Sequence, residues 1–228
     1  MPRVFSIAID GPSGAGKSTV AKAVSERLNA TYLDTGAMYR AVGLFMLRNG
    51  VPLADRDAIA ENCARAEVDV RYGRDGRQRV YLGGEDVSDA IRTAEASLAA
   101  SAVSTVPEVR RRMVALQREI ARGRAVVMDG RDIGTDVLPN ATLKVFLTAS
   151  MEVRARRRHQ ELLEKGMDEP YEKVLEELKR RDETDTQRAA SPLRRADDAV
   201  ELDCSDMSLQ EVADKIVRLA ESAIGEGA

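Results

Sequence analysis

Val4 to Ile9 is a short apolar run that reads as a buried strand, and a glycine-rich turn follows from Asp10 to Gly16. From Lys17 to Leu28 the apolar residues Val20, Ala21, Val24 and Leu28 recur at helical spacing. Strand, turn and helix together predict the opening βα unit of a parallel sheet. Tyr32 to Gly36 predicts a strand end and turn, and Ala37 to Arg48 a helix halted by Asn49-Gly50-Val51-Pro52. From Asp55 the pattern changes. A helix near Ala58 to Ala66 precedes Val68 to Tyr72 and Gln78 to Leu82, and their connection Gly73-Arg74-Asp75-Gly76-Arg77 has the signature of a hairpin. An inserted α+β subdomain is expected over 55–92.

Ala94 to Ala121 is helical in pattern, with a break at Val106-Pro107 because proline disfavours the helical conformation of its predecessor. Ala125 to Met128 and Leu143 to Leu147 are apolar runs that extend the parallel sheet. Met151 to Glu164 and Tyr171 to Arg181 are charged helices, and this Arg-rich hairpin predicts a mobile lid over 151–189. A last strand is expected at Ala199 to Asp203, then a helix from Ser208 with Glu211 at capping-box spacing. The Gly225 to Ala228 tail is expected to fray. The remaining segments, 1–54, 93–150 and 190–228, form the expected α/β core, a parallel sheet flanked by helices.

A length of 228 residues with 43% hydrophobic content suffices for one such domain with its insert. The 35 basic and 38 acidic residues nearly cancel, so any phosphate binding must come from local arginine clusters and not from global charge. Cys63 and Cys204 lack the spacing of a zinc site or a disulfide framework and read as buried residues. Met1-Pro2-Arg3 leads directly into a strand, and no apolar stretch reaches about 18 residues, so a cytoplasmic protein is expected.

Gly11-Pro12-Ser13-Gly14-Ala15-Gly16-Lys17-Ser18 satisfies GxxxxGK[ST] at each fixed position, between a predicted strand and a predicted helix. Such a loop turns backbone N–H groups onto phosphate oxygens, its lysine reaches the terminal phosphates, and its hydroxyl can ligate magnesium. Gly11 through Ser18, with Thr19, are therefore the expected ATP site of a P-loop NTPase-type fold. Lys17 is expected to be catalytic. Asp129 follows the predicted strand Val126-Val127-Met128 and is, with Ser18, the candidate for Mg2+; a turn-forming Asp before Gly130 is the other reading.

A P-loop alone also suits a GTPase switch or a motor, but no Asn-Lys-x-Asp segment for reading guanine is present. Transfer to an acceptor phosphate needs positive charge and alignment more than a base, since the acceptor oxygen is already anionic. Arginine supplies both, because guanidinium forks match phosphate oxygens bidentately. Arg131 and Asp132 follow a predicted central strand, where ligands of open α/β sheets gather. Arg181, Asp185 and Arg188 would share a helical face, either as ligands or as an exposed salt-bridge network. The single histidine, His159, sits in a charged helix and reads as solvated.

At these residues the chain resembles bacterial cytidylate kinases, over almost its whole length. The likeness is carried by Ile9 to Lys17, Leu33 to Arg40, Gly84 to Ser88, Ile91 to Thr93, Asp129 to Thr135, and Arg181-Asp182 through Arg188. The resemblance implies a P-loop core, an acceptor-binding insert, and an Arg-rich lid closing over ATP and Mg2+. It implies that Arg40, Arg131 and Arg188 hold the phosphate of CMP, and that Arg181 and Asp185 meet the ribose hydroxyls. Thr35, Ser101, Arg110 and Asp132 would face the cytosine. Cytosine offers a 4-amino donor and O2 and N3 acceptors, which a carboxylate beside Arg, Ser and Thr complements; uracil would set a carbonyl against the carboxylate. Thr35 stands where many relatives carry serine, and Ser18 replaces the glycine of some; both keep or add a hydroxyl. Catalysis is expected from Lys17, Arg131 and the lid residues Arg154, Arg157 and Arg158, at least one of which should meet the transferring phosphoryl. The expected partners are ATP and CMP or dCMP, with no nucleic acid or membrane, and the expected state is a monomer. The competing readings are another small-molecule kinase of this fold and a nucleic-acid-binding ATPase. The latter would need base-stacking aromatics, and aromatics are 4% of the chain.

Overall fold

A computed structural model describes residues 4–164 and 166–226, so the expectations for Met1-Pro2-Arg3 and for the end of the tail lie outside the described residues. The opening unit is β1 (Ser6–Asp10) and α1 (Lys17–Arg27), followed by β2 (Thr31–Asp34) and α2 (Thr35–Arg48). Helix α2 starts at Thr35, inside the expected turn, because Asp34 caps it by accepting from Ala37 N at 2.9 Å. Next come α3 (Arg56–Asn62), continued by a 3-10 turn over Cys63–Arg65, then β3 (Val68–Tyr72), β4 (Gln78–Leu82) and a two-residue β5 (Glu85–Asp86) too short to show in periodicity.

Helices α4 (Ala94–Val103) and α5 (Pro107–Ala121) divide at the expected proline. Strand β6 (Val126–Gly130), a single π turn over Ile133–Val137, and β7 (Leu143–Thr148) lead to α6 (Met151–Glu164) and α7 (Tyr171–Gln187). Helix α7 runs past its expected end at Arg181. The residues from Asp182 to Gln187 carry no apolar period to reveal them, yet contain nothing that breaks a helix. Strand β8 (Val200–Asp203) and α8 (Leu209–Glu226) close the chain. The capping box is formed: Ser208 N donates to Glu211 Oε2 at 2.8 Å and Glu211 N to Ser208 Oγ at 3.2 Å.

The five-stranded sheet has the order β2-β6-β1-β7-β8 and is parallel throughout. Side chains alternate across it. Ile7 and Ile9 of β1, Val127 of β6 and Leu143, Val145 and Leu147 of β7 join the core that α1 and α8 cover. Ala8, Leu33, Val126 and Met128 face the other core, with Met38 and Val42 of α2 and Met113 of α5. Burying one such side chain contributes about 1.5–3 kcal/mol. A sheet covered on both faces therefore needs apolar residues at successive positions, which is why these strands read as continuous runs.

The second sheet, β3-β4-β5, is antiparallel. Its inner residues Val80 and Leu82 continue the α2-side core together with Ile59 and Val87. It also grips β2 by polar contacts: Asp34 N donates to Gln78 Oε1 at 2.7 Å, Gln78 Nε2 to the Asp34 carbonyl at 3.1 Å, and the Tyr72 hydroxyl to the Tyr32 carbonyl at 3.0 Å. No described helix is long and apolar enough to cross a membrane.

Candidate active site

The carboxyl ends of the parallel strands open into a cleft of about 1040 Å³. On one side lies the turn between β1 and α1. Gly11 at φ 147° brings the backbone so close to β7 that a Cβ would lie 1.9 Å from the Leu147 carbonyl oxygen. Gly16, at φ 90°, is the left-handed residue that starts α1. Ser13, Gly14, Gly16, Lys17, Ser18 and Thr19 reach the cleft wall, while Gly11, Pro12 and Ala15 form the back of the turn. Lys17 curls into the loop, its Nζ donating to the Pro12 carbonyl at 2.6 Å. Burial, and then the neighbouring Arg131, hold its ammonium well below the ordinary lysine value.

At the end of β6, Asp129 is buried and accepts from Ser18 Oγ and from the Tyr32 hydroxyl, both at 2.8 Å. Burial raises its pKa to about 6, with Asp34 adding to the rise and Lys17 opposing it. Ser18 and Asp129, both named above for the metal, thus stand in direct contact. One carboxylate beside one hydroxyl suits magnesium, which keeps waters and phosphate oxygens as its other ligands. Among the described residues no cluster of three or more His, Cys, Asp or Glu could hold a metal.

The opposite side of the cleft is a lattice of arginines and carboxylates. Arg131 Nε donates to Asp185 Oδ2 at 2.7 Å, and Arg40 pairs with Asp34 at 2.8 Å. Asp132, 5% exposed, is paired with the buried Arg110, and Arg188 NH2 lies 3.4 Å from its other oxygen. The Arg110 guanidinium also stands 5.6 Å from the centre of the Tyr39 ring. Burial pulls Asp185 upward, but Arg131, Arg181 and Arg188 outweigh it and hold its carboxyl below the usual range. Arg181 makes no ion pair or hydrogen bond among the described residues. Burial lowers its pKa to about 10, with the adjacent Arg131 adding to the fall and Asp185 opposing it. Arg181 and Asp185 lie on α7, while Arg188 is the extended residue that caps it, so the three converge without sharing one helical face.

Thr35 and Ser101 are on the wall, and the Thr35 hydroxyl donates to the Asp129 carbonyl at 2.7 Å. Among the lid arginines, Arg158 reaches the wall and is paired with Glu161 one turn on. Arg157 also borders the cleft, but its guanidinium donates to the carbonyls of Cys204 and Met207 at 2.8 and 3.2 Å. Arg154 is off the wall: it binds the carbonyls of Ala149 and Ser13 at 3.0 Å each and Asp182 at 2.6 Å. His159 borders the cleft, edge-on to Tyr171. None of residues 55–92 lines the cleft; the small sheet acts on it only indirectly, through Gln78, which holds the lining residue Asp34. Sequence reasoning gave no role to Tyr32 or Asp34. Only the latter carried a signal, as an Asp directly before a helix.

A family model for cytidylate kinase matches residues 7–222. A cytidylate kinase from Caldicellulosiruptor bescii is 50% identical over 215 residues, covering 94% of this chain and 95% of that protein. One from Bacillus subtilis is 49% identical over 221 residues, covering 97% and 98%. Among solved structures, an uncharacterized protein from Eubacterium ventriosum superposes with a TM-score of 0.54 at 13% identity, covering 96% of this chain and 99% of that one, a likeness of fold alone.

Proposed function

The chain belongs to the cytidylate kinase family and is a nucleoside monophosphate kinase; from that premise we propose how its residues divide the transfer of a phosphoryl group from ATP to CMP or dCMP. The amides of the turn from Gly11 to Ser18, with Lys17 and Thr19, bind the donor phosphates. Ser18 and Asp129 would hold Mg2+, which when bound neutralises phosphate charge. Arg40, Arg131 and Arg188 orient the acceptor phosphate, whose oxygen is already anionic and needs no general base. Arg181 and Asp185 meet the ribose, while Asp132, Arg110, Ser101 and Thr35 face the base. Arg158 is the lid residue placed to meet the transferring group, and Arg154 and Arg157 anchor the lid to the core. Segment 55–92 supports the acceptor site through Gln78 and Asp34, and 151–189 is the lid.

One observation carries this reading: a single cleft joins the P-loop lysine and the Ser18–Asp129 pair to the buried Arg110–Asp132–Arg188 cluster. Two buried arginines around one carboxylate suit a polar, planar ligand edge better than a sugar alone. A monomer is the proposed working unit. The test is a coupled assay of ADP release with CMP, dCMP, UMP and AMP as acceptors. CMP and dCMP should have the highest kcat/KM; a preference for AMP, or turnover without any monophosphate, would reject the assignment.

A further inference from the structure

Asp10 ends β1, directly before the phosphate-binding turn, and does not line the cleft. Its buried carboxylate spends both oxygens on backbone amides: Oδ1 accepts from Ile133 N at 2.8 Å and Oδ2 from Gly134 N at 2.7 Å. Those amides open the π turn Ile133–Val137, whose first N–H groups have no partner within the turn itself. The Asp132 carbonyl accepts from Asp136 N and Val137 N at 2.9 and 3.1 Å. The backbone carrying Asp132 is thus fixed from within by the turn and from behind by Asp10.

Stability alone does not explain an acid at this position. Burial raises the Asp10 pKa to about 6 against the pull of its two amide donors, and the neighbouring Asp132 adds like-charge repulsion. A carboxylate nevertheless does one thing here that an amide or hydroxyl side chain does less well: with both oxygens acceptors, it engages two successive N–H groups at once. Its foot is on the central strand that launches the donor loop, and its grip is on the loop that carries Arg131 and Asp132.

We propose that Asp10 is a positioning residue for base selection, a two-pronged clamp that fixes the angle at which Asp132 enters the acceptor pocket and its spacing from the phosphate turn. The proposal rests on the assignment of Asp132 to the base. Asp10→Asn keeps the shape but turns one prong into a donor facing an N–H group. The kcat/KM ratio of CMP over UMP should then fall about tenfold, with KM for CMP rising, while KM for ATP stays within about threefold. Amide hydrogen exchange should accelerate over 131–138 and stay unchanged over 11–18. Should Asp10→Asn not fold, Asp10→Ser, which keeps one acceptor without placing an amide donor against Gly134 or Ile133, takes its place with the same readouts.

An unchanged ratio with unchanged exchange overturns the proposal. So does a rise in KM for ATP equal to that for CMP, which would place the role of Asp10 in the donor loop, or a uniform loss of activity with a lowered Tm. Asp132→Asn, measured alongside, separates the two layers. If it leaves the CMP/UMP ratio untouched, the base assignment fails by itself, whereas exchange over 131–138 in the Asp10 variant still decides the clamp.

Discussion

Replacing Asp132 by Asn keeps the shape of the side chain and removes its charge. Two separable effects follow. Arg110 and Arg188 lose the anion that compensates them, and breaking a buried pair in this way costs about 3–5 kcal/mol of stability, felt equally with either substrate. The base-specific effect is different in kind. The carboxylate has about four acceptor positions, and its two arginine contacts leave room for the 4-amino group of cytosine. In Asn one of these acceptors becomes a donor that opposes this group and suits the O4 of uracil. Stranding a desolvated donor costs about 1–3 kcal/mol. At 1.4 kcal/mol per decade, the CMP/UMP ratio of kcat/KM should fall by roughly tenfold or more. The assay is steady-state kinetics with both acceptors in wild type, Asp132→Asn and Asp132→Ala, with urea melts of all three. A melt shifted down while the ratio holds within about threefold would leave Asp132 a purely structural counter-ion and refute the base-reading role.

Lys17→Ala should reduce single-turnover transfer by about a hundredfold or more with little change in a thermal melt, because the cost of burying its ammonium offsets the one hydrogen bond it gives the Pro12 carbonyl; activity within about tenfold of wild type would reject the P-loop assignment. Arg158→Ala should lower kcat by about a thousandfold at nearly constant stability, whereas Arg154→Ala should chiefly lower the urea midpoint, since its guanidinium ties Ser13 and Ala149 to Asp182; the reverse pattern would exchange their roles. Asp10 binds its proton more tightly when folded, so its contribution to stability is full below 3.8 and lost as the pH rises through about 6. Unfolding free energies of nucleotide-free wild type and Asp10→Asn should accordingly shift relative to each other by on the order of 3 kcal/mol in the variant's favour between about pH 4 and pH 7. Parallel pH profiles would contradict that.

The parallel strands, the hairpin and the glycine turn were legible because each imposes a local pattern: apolar runs for two-sided burial, the Gly73 to Arg77 connection between two short strands, and glycines where a Cβ would collide, as at Gly11. The ligand lattice was legible as a set of residue types at strand ends. What the sequence did not reveal was pairing. Nothing local says that Arg110 on α5 meets Asp132 after β6, or that Arg188 would leave its helix to join them. The lid arginines make the same point, since Arg154, Arg157 and Arg158 are near neighbours in sequence and similar in composition. They diverge because α6 aims one at the P-loop carbonyl of Ser13, one at the loop after β8 and one at the cleft. Tyr32 escaped for a related reason: its hydroxyl matters only because β2 lies beside β6 with Tyr32 opposite Val127, two residues before Asp129.

Strand β2 is an outermost strand, and such a margin displays backbone donors and acceptors to which another chain can add itself. Here the carboxamide of Gln78 accepts and donates as a neighbouring peptide group would, and the Tyr72 hydroxyl fills the next acceptor along. The small sheet therefore also guards against self-association. A chain shortened across β3 and β4 would leave the Tyr32 carbonyl and the Asp34 amide and carbonyl open on this margin, so its first symptom should be concentration-dependent aggregation, seen by light scattering before any change in acceptor affinity is measurable.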